Sequence, residues 1–224
     1  MKTTIRRVAV LKFTAVIASA AVFGLLAAKI LPLQWLFSAF LLACVFGLFF
    51  VGGTGYRILI AVFFNDPSRN TATSWAGAIA FSTLAVVVAI LFIVPSENHK
   101  LLLLASYGMA INAGYILVKL ACLDAGCCRV HMDGMSPRLL EVIPDLRIIE
   151  FLASIAIFAL SFYLALIEMQ LFLAAIVSLA GHLIVRVLSR FARNRLPKTI
   201  GEFWNSGMEL IPLVVAIAVT LQTS

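Results

Sequence analysis

The feature that most constrains this chain is a series of apolar runs, each close to the length a helix needs to cross a bilayer. Crossing takes about 20 predominantly apolar residues. Seven such runs stand at 13–31, 33–51, 75–94, 101–118, 148–167, 171–188 and 203–222. None has the alternation of a membrane barrel strand, so helices are the expected spanning form. Of the 224 residues, 63% are hydrophobic and 12% charged. A soluble domain carries about 25% charged residues and cannot hide that much apolar surface. The expectation is an all-α integral membrane protein, a seven-helix transmembrane bundle forming one domain over residues 1–224.

The first run follows Lys2, Arg6, Arg7 and Lys12, as in a signal peptide. A signal core is only about 7–15 residues. The longer run reads as a retained first span. Spans five and six are joined by Glu168-Met169-Gln170 alone and should form a tight antiparallel pair. Gly52-Gly53-Thr54-Gly55 ends the second span, and the apolar piece at 56–64 is too short to cross. It reads as re-entrant or interfacial.

Cations in short loops orient a membrane protein. Under this span assignment, fifteen of the seventeen lysines and arginines fall on one side, leaving Lys29 and Lys100 on the other. The fifteen include Lys119, Arg147, Arg186 and Arg190. The count puts the N-terminus inside. The net charge of +7 then reads as topology. No soluble basic module exists to carry nucleic-acid binding.

Chemistry concentrates in Lys119-Leu-Ala-Cys122-Leu-Asp-Ala-Gly126-Cys127-Cys128-Arg129, which holds three of the four cysteines. Charge near a bilayer is costly and tends to be kept for function. Cys122, Cys127, Cys128 and His131 are soft or borderline ligands. Their spacing lacks the paired short gaps of a closed zinc site, and small cysteines also simply pack at helix ends. No metal or other cofactor is expected. Adjacent Cys127 and Cys128 pair poorly as a disulfide.

His182 and Arg186 stand four apart, on one helix face. Arg suits bidentate phosphate recognition, with snorkelling anchorage as the plainer alternative for the outer Arg190 and Arg193. Glu150 follows Arg147 and opens the fifth span. It either complements the helix dipole or partners Arg186 or Lys119. Asn112 and Tyr107 share the fourth span with Ser106, Gly108 and Gly114, small residues that allow close helix approach. Asn112 reads as an interhelical hydrogen bonder before a catalyst.

The run Asn112-Ala-Gly-Tyr-Ile-Leu-Val-Lys119-Leu-Ala-Cys122-Leu-Asp-Ala-Gly126-Cys127-Cys128 resembles the fourth-helix end of the prolipoprotein diacylglyceryl transferase superfamily, in a divergent Cys-Cys branch. Arg147-Ile-Ile-Glu150 resembles that branch's Gln-Leu-Tyr-Glu. Arg186-Val-Leu-Ser-Arg190-Phe-Ala-Arg193 resembles its Arg-Phe-x-x-Glu-x-x-Arg. The resemblance covers about residues 75–195. Lys119 stands where the family has Arg, Cys122 where the authentic transferases have Asn, Val130 for the closing Gly, and Arg190 for a Glu.

The resemblance implies a multi-pass protein of the bacterial cytoplasmic membrane that moves a lipid-derived group from an anionic phospholipid, such as phosphatidylglycerol, to an acceptor such as a lipoprotein thiol. Carried over, Lys119 and Arg186 hold phosphate, Glu150 orients them, and His182 or His131 is a candidate base. Asn112, Tyr107, Arg147, Arg190 and Gly126 line the substrate. The family works on the outer face with its N-terminus outside, opposite to the charge count. Two other readings stay open: a thiol-dependent metal-binding or redox membrane protein, and a noncatalytic membrane scaffold.

Overall fold

The structure, a computed structural model, describes residues 10, 14–25, 45–49, 51–53, 55, 58, 62, 75–92, 94, 96–124, 145–166, 170–192, 207 and 210–223. Among them every regular element is helical. The elements are α1 (Thr14–Leu25), short helical pieces at 45–49 and 51–53, α2 (Trp75–Phe92), α3 (Glu97–Asp124), α4 (Leu146–Leu166), α5 (Leu171–Ala192) and α6 (Ile211–Thr223).

Among the described residues three helices are long and apolar enough to cross a membrane: α3, α4 and the Leu171–Ser189 part of α5. They match the fourth, fifth and sixth expected spans. At 1.5 Å per residue, α4 runs about 32 Å, close to the roughly 30 Å of a hydrocarbon core. The first, third and seventh runs also hold helix, though α1 and Gly77–Phe92 of α2 fall below spanning length.

Local chemistry sets the helix ends. Pro95 follows α2, and Ser96 then accepts the Lys100 N–H at 3.0 Å, with Glu97 in the first turn of α3. An acid there complements the positive end of the helix dipole. Asp145 caps α4, its Oδ1 accepting the Arg147 N–H at 3.0 Å. Pro212 sits in the first turn of α6, where a missing N–H does no harm.

Several serine and threonine side chains inside the bundle are satisfied within their own helix. Ser19, Ser82, Thr83, Ser106, Ser154 and Ser161 each donate to the carbonyl one turn back. That removes the penalty of a bare hydroxyl in apolar surroundings.

The core lies between α2, α3 and α5, where Val86, Ala89, Leu103, Leu104, Met109, Ala174 and Ala175 are buried. Small residues let the helices close up. A Cβ on Gly108 would lie 2.7 Å from Ser178 Cβ of α5, and one on Gly181 would lie 3.0 Å from Ile157 of α4. On α1, Phe23 packs edge-on against Phe46 at 6.5 Å. The outward side of α4 is apolar and exposed, with Leu152, Leu160, Phe162 and Tyr163 turned away from the bundle.

One expectation about the chain path needs correction. The helix of the fourth apolar run does not end with that run at 118: α3 continues to Asp124 and carries Lys119 and Cys122. Lys119 and Arg147 are buried and Arg186 is half-buried, so these three are not loop cations. Without them the cation imbalance keeps its direction. The piece at 56–64 lies outside the described residues, save for single positions, as do the fourth loop and residues 193–206.

Candidate functional site

Two helical stripes face each other. On α3, Asn112, Tyr115 and Lys119 follow at spacings of three and four; on α5, Ser178, His182 and Arg186 follow at four and four. Such spacings stack side chains on one helix face. The N-terminal part of α4 completes the set with Arg147 and Glu150, both buried.

Tyr115 is the hub. Its ring lies 4.9 Å from Lys119 Nζ and 5.5 Å from the Arg186 guanidinium carbon. Both distances fall within reach of the attraction between a cation and an aromatic face. The His182 ring stands edge-on to it, centroids 4.9 Å apart at 83°. Tyr115 Oη donates to Glu150 Oε1 at 3.4 Å and accepts from Arg186 Nη1 at 3.5 Å. Both bonds are long.

The strong contact is ionic. Lys119 Nζ lies 2.7 Å from Glu150 Oε2, with side-chain exposures of only 5% and 2%. In a dry site neither charge is tolerable alone, so each holds the other in place. Glu150 is therefore the partner of Lys119, which decides between the two readings of its position.

The cluster has a definite depth. Glu150 lies four residues from the start of α4, Lys119 five from the end of α3, and Arg186 six from the end of α5. These offsets put the charges about 6–9 Å inside one common end of the three helices.

Arg147 does a different job. Its guanidinium grips Asp145, with Nε donating to Oδ1 and Oδ2 at 2.9 and 3.0 Å and Nη2 paired with Oδ2. Nη1 donates to the Cys122 carbonyl at 3.2 Å. That carbonyl belongs to the last turn of α3, where helix geometry leaves acceptors without N–H partners. Arg147 thus ties the end of α3 to the start of α4.

The structure brings Lys119, Glu150, His182 and Arg186 together. Asn112 lies one turn away, its Nδ2 donating to the Ser178 carbonyl of α5 at 2.8 Å and to Gly108 at 2.9 Å. It is the interhelical hydrogen bonder expected. Tyr107 does not join the cluster. It lies eight residues before Tyr115, and its hydroxyl meets Ser82 at 2.6 Å, Thr83 at 3.0 Å and the Ile79 carbonyl at 2.9 Å. Cys122 follows Lys119 by one turn, half-buried. Gly126, Cys127, Cys128 and His131 lie outside the described residues, as does the Arg190 side chain. Among the described residues no group of histidine, cysteine, aspartate and glutamate is placed to hold a metal ion.

Sequence reasoning missed Tyr115, Ser178 and Asp145. Tyr115 was findable: it sits three after Asn112 and four before Lys119, on their face. Asp145 follows Pro144 at a helix start, the usual place of a capping acid. Ser178 carried no signal, because its part is played by a backbone carbonyl and a small volume.

Compared with family models, curated proteins and solved structures, the chain matches none.

Proposed function

We propose that this chain is a membrane-embedded, lipid-handling transferase that binds the head group of an anionic phospholipid at the Tyr115 cluster. The observation that carries the proposal is the meeting of Lys119, Arg186 and Glu150 around one buried tyrosine, just inside one end of three bilayer-length helices. Long cationic side chains near the end of a span can reach the head-group region. The exposed apolar side of α4 reads as a lipid-facing surface. The residence is a cell membrane, in the family reading the bacterial cytoplasmic one, with a multi-pass chain.

Arg186 supplies planar paired donors to a phosphate, and Lys119 a compact charge. Glu150 aims the Lys119 ammonium at 2.7 Å. By the motif resemblance, a phospholipid such as phosphatidylglycerol gives up its diacylglyceryl group. A carbon–sulfur bond to an acceptor thiol forms as the carbon–oxygen bond to phosphate breaks. The head-group phosphate leaves with that electron pair, and the thiol proton passes to a base, for which His182 is the imidazole beside Tyr115.

The test is mass spectrometry of lipids and peptides after incubating the full chain, in micelles, with phosphatidylglycerol and a thiol peptide. A diacylglyceryl-modified peptide is expected, with at least a hundredfold loss in Arg186→Ala, the scale of losing a group that stabilises developing charge. Unmodified lipid and peptide throughout would sink the enzymatic reading and leave a noncatalytic bundle closed by a buried charge network.

A further inference from the structure

Asn112 lies one turn from the charged cluster and takes no direct part in it. It is fully buried, at 0% exposure. Both protons of its carboxamide are spent on backbone carbonyls, one on its own helix at Gly108 and one across the interface at Ser178. Those two residues also stand where α3 and α5 approach closely, since a Cβ on Gly108 would overlap Ser178. Three residues thus make one crossing, and every part of it addresses Ser178. From there the two stripes run on together, Asn112 to Tyr115 and Lys119, Ser178 to His182 and Arg186.

Asn112 Oδ1 is buried and makes no hydrogen bond. An unsatisfied buried acceptor destabilises the fold. Leucine has the same branched outline and no such acceptor, so it would fill the position without that penalty. What leucine cannot do is hold the Ser178 carbonyl. The carboxamide is therefore suited to geometry rather than to net stability, the use of a buried polar group that is best attested in helix pairs.

We infer that Asn112 is a positioning residue: with Gly108 it fixes how closely, and at what rotation, α5 lies on α3, and so delivers His182 and Arg186 to Tyr115. This assignment is independent of what the cluster binds. Its test reads geometry, not turnover.

The test uses the full chain in micelles, treated with diethyl pyrocarbonate, with modification of each histidine followed by mass spectrometry. His182 is buried against Tyr115, whereas His99 is half-buried near the start of α3 and serves as the reference. Two variants are compared. Asn112→Leu removes both bonds. Asn112→Ser keeps a hydroxyl able to reach the Gly108 carbonyl but too short to reach Ser178, so it removes the crossing bond alone. Both should raise the His182 rate about fivefold relative to His99, the population shift that one typical hydrogen bond controls. Helicity by circular dichroism stays unchanged. If Asn112→Leu does not fold, Asn112→Ser carries the test. His182 as protected as in the unchanged chain, in a folded variant, overturns the assignment. So does a parallel rise at His99 with a falling melting temperature, because that is general loosening.

Discussion

Tyr107 and Tyr115 lie two turns apart on α3, both buried, and their surroundings have opposite character. Tyr107 sits in a neutral knot. Its hydroxyl meets Ser82, Thr83 and the Ile79 carbonyl at 2.6–3.0 Å, and this docks α2 on α3. Tyr115 sits among charges. Its hydroxyl meets Glu150 and Arg186 at 3.4 and 3.5 Å, while two cations and an imidazole crowd its ring. A neutral knot is complete in itself, since every hydroxyl finds a partner within the bundle. A cluster of buried charges is expensive to assemble, and inside a membrane such clusters mark sites of binding or proton movement. The contrast separates scaffold from candidate site on one helix.

The sharpest way to break that contrast is to remove one charge. Glu150→Ala leaves Lys119 buried without its carboxylate and should destabilise the chain by about 3–5 kcal/mol. Thermal melting in detergent reads the loss. The double variant Lys119→Met, Glu150→Leu should melt at or above the unchanged chain, because two desolvated ions are replaced by packed apolar groups. A double variant as unstable as Glu150→Ala would mean that the ion pair is scaffold after all, and the contrast with Tyr107 would fall.

A smaller effect is expected at the crossing of α3 and α5. Gly108→Ala forces a methyl into Ser178 and should cost about 1–3 kcal/mol, the range of overpacked cores. Equal melting curves for this variant and the unchanged chain would show that the helices are free to separate there.

The smallest effects compare the two tyrosines directly. Tyr107→Phe removes a hydroxyl with three close partners and should cost about 1 kcal/mol, without touching the proposed head-group binding. Tyr115→Phe loses the long bonds to Glu150 and Arg186, keeps the ring under both cations, and should cost about 0.5 kcal/mol. It should instead lower the amount of phosphatidylglycerol relative to phosphatidylcholine that stays bound to the chain in mixed micelles. If Tyr107→Phe changes that preference and Tyr115→Phe does not, the assignments of scaffold and site are reversed.

Several of these relations were legible beforehand. The helical spacing of His182 and Arg186 put both on one face, and they do face one tyrosine. Glu150 was a named candidate partner for Lys119. Asn112 read as an interhelical bonder and is one. Less visible was where α3 ends. Hydropathy stops at Val118 because Lys119 is charged, yet the helix runs on to Asp124. A buried partner on another helix is invisible to a hydropathy window, so Lys119 and Arg147 passed for loop cations. The engagement of Arg147 with Asp145 and the Cys122 carbonyl could not be foreseen either, since it depends on how α3 meets α4.

By itself the sequence pointed to helix for its apolar runs, and their described parts are helical, because an α-helix bonds its backbone groups within its own segment. It also determined which faces of α3 and α5 carry polar groups, because helical period is a local property. Tertiary structure alone decided which face met which. Glu150 chose Lys119, Asn112 chose the Ser178 carbonyl, Arg147 chose Asp145 and the end of α3, and Tyr115 became the centre of the charged cluster while Tyr107 was sealed in hydroxyls. Those choices depend on close approach at Gly108 and on the mutual need of buried charges. Neither is a property of any one segment.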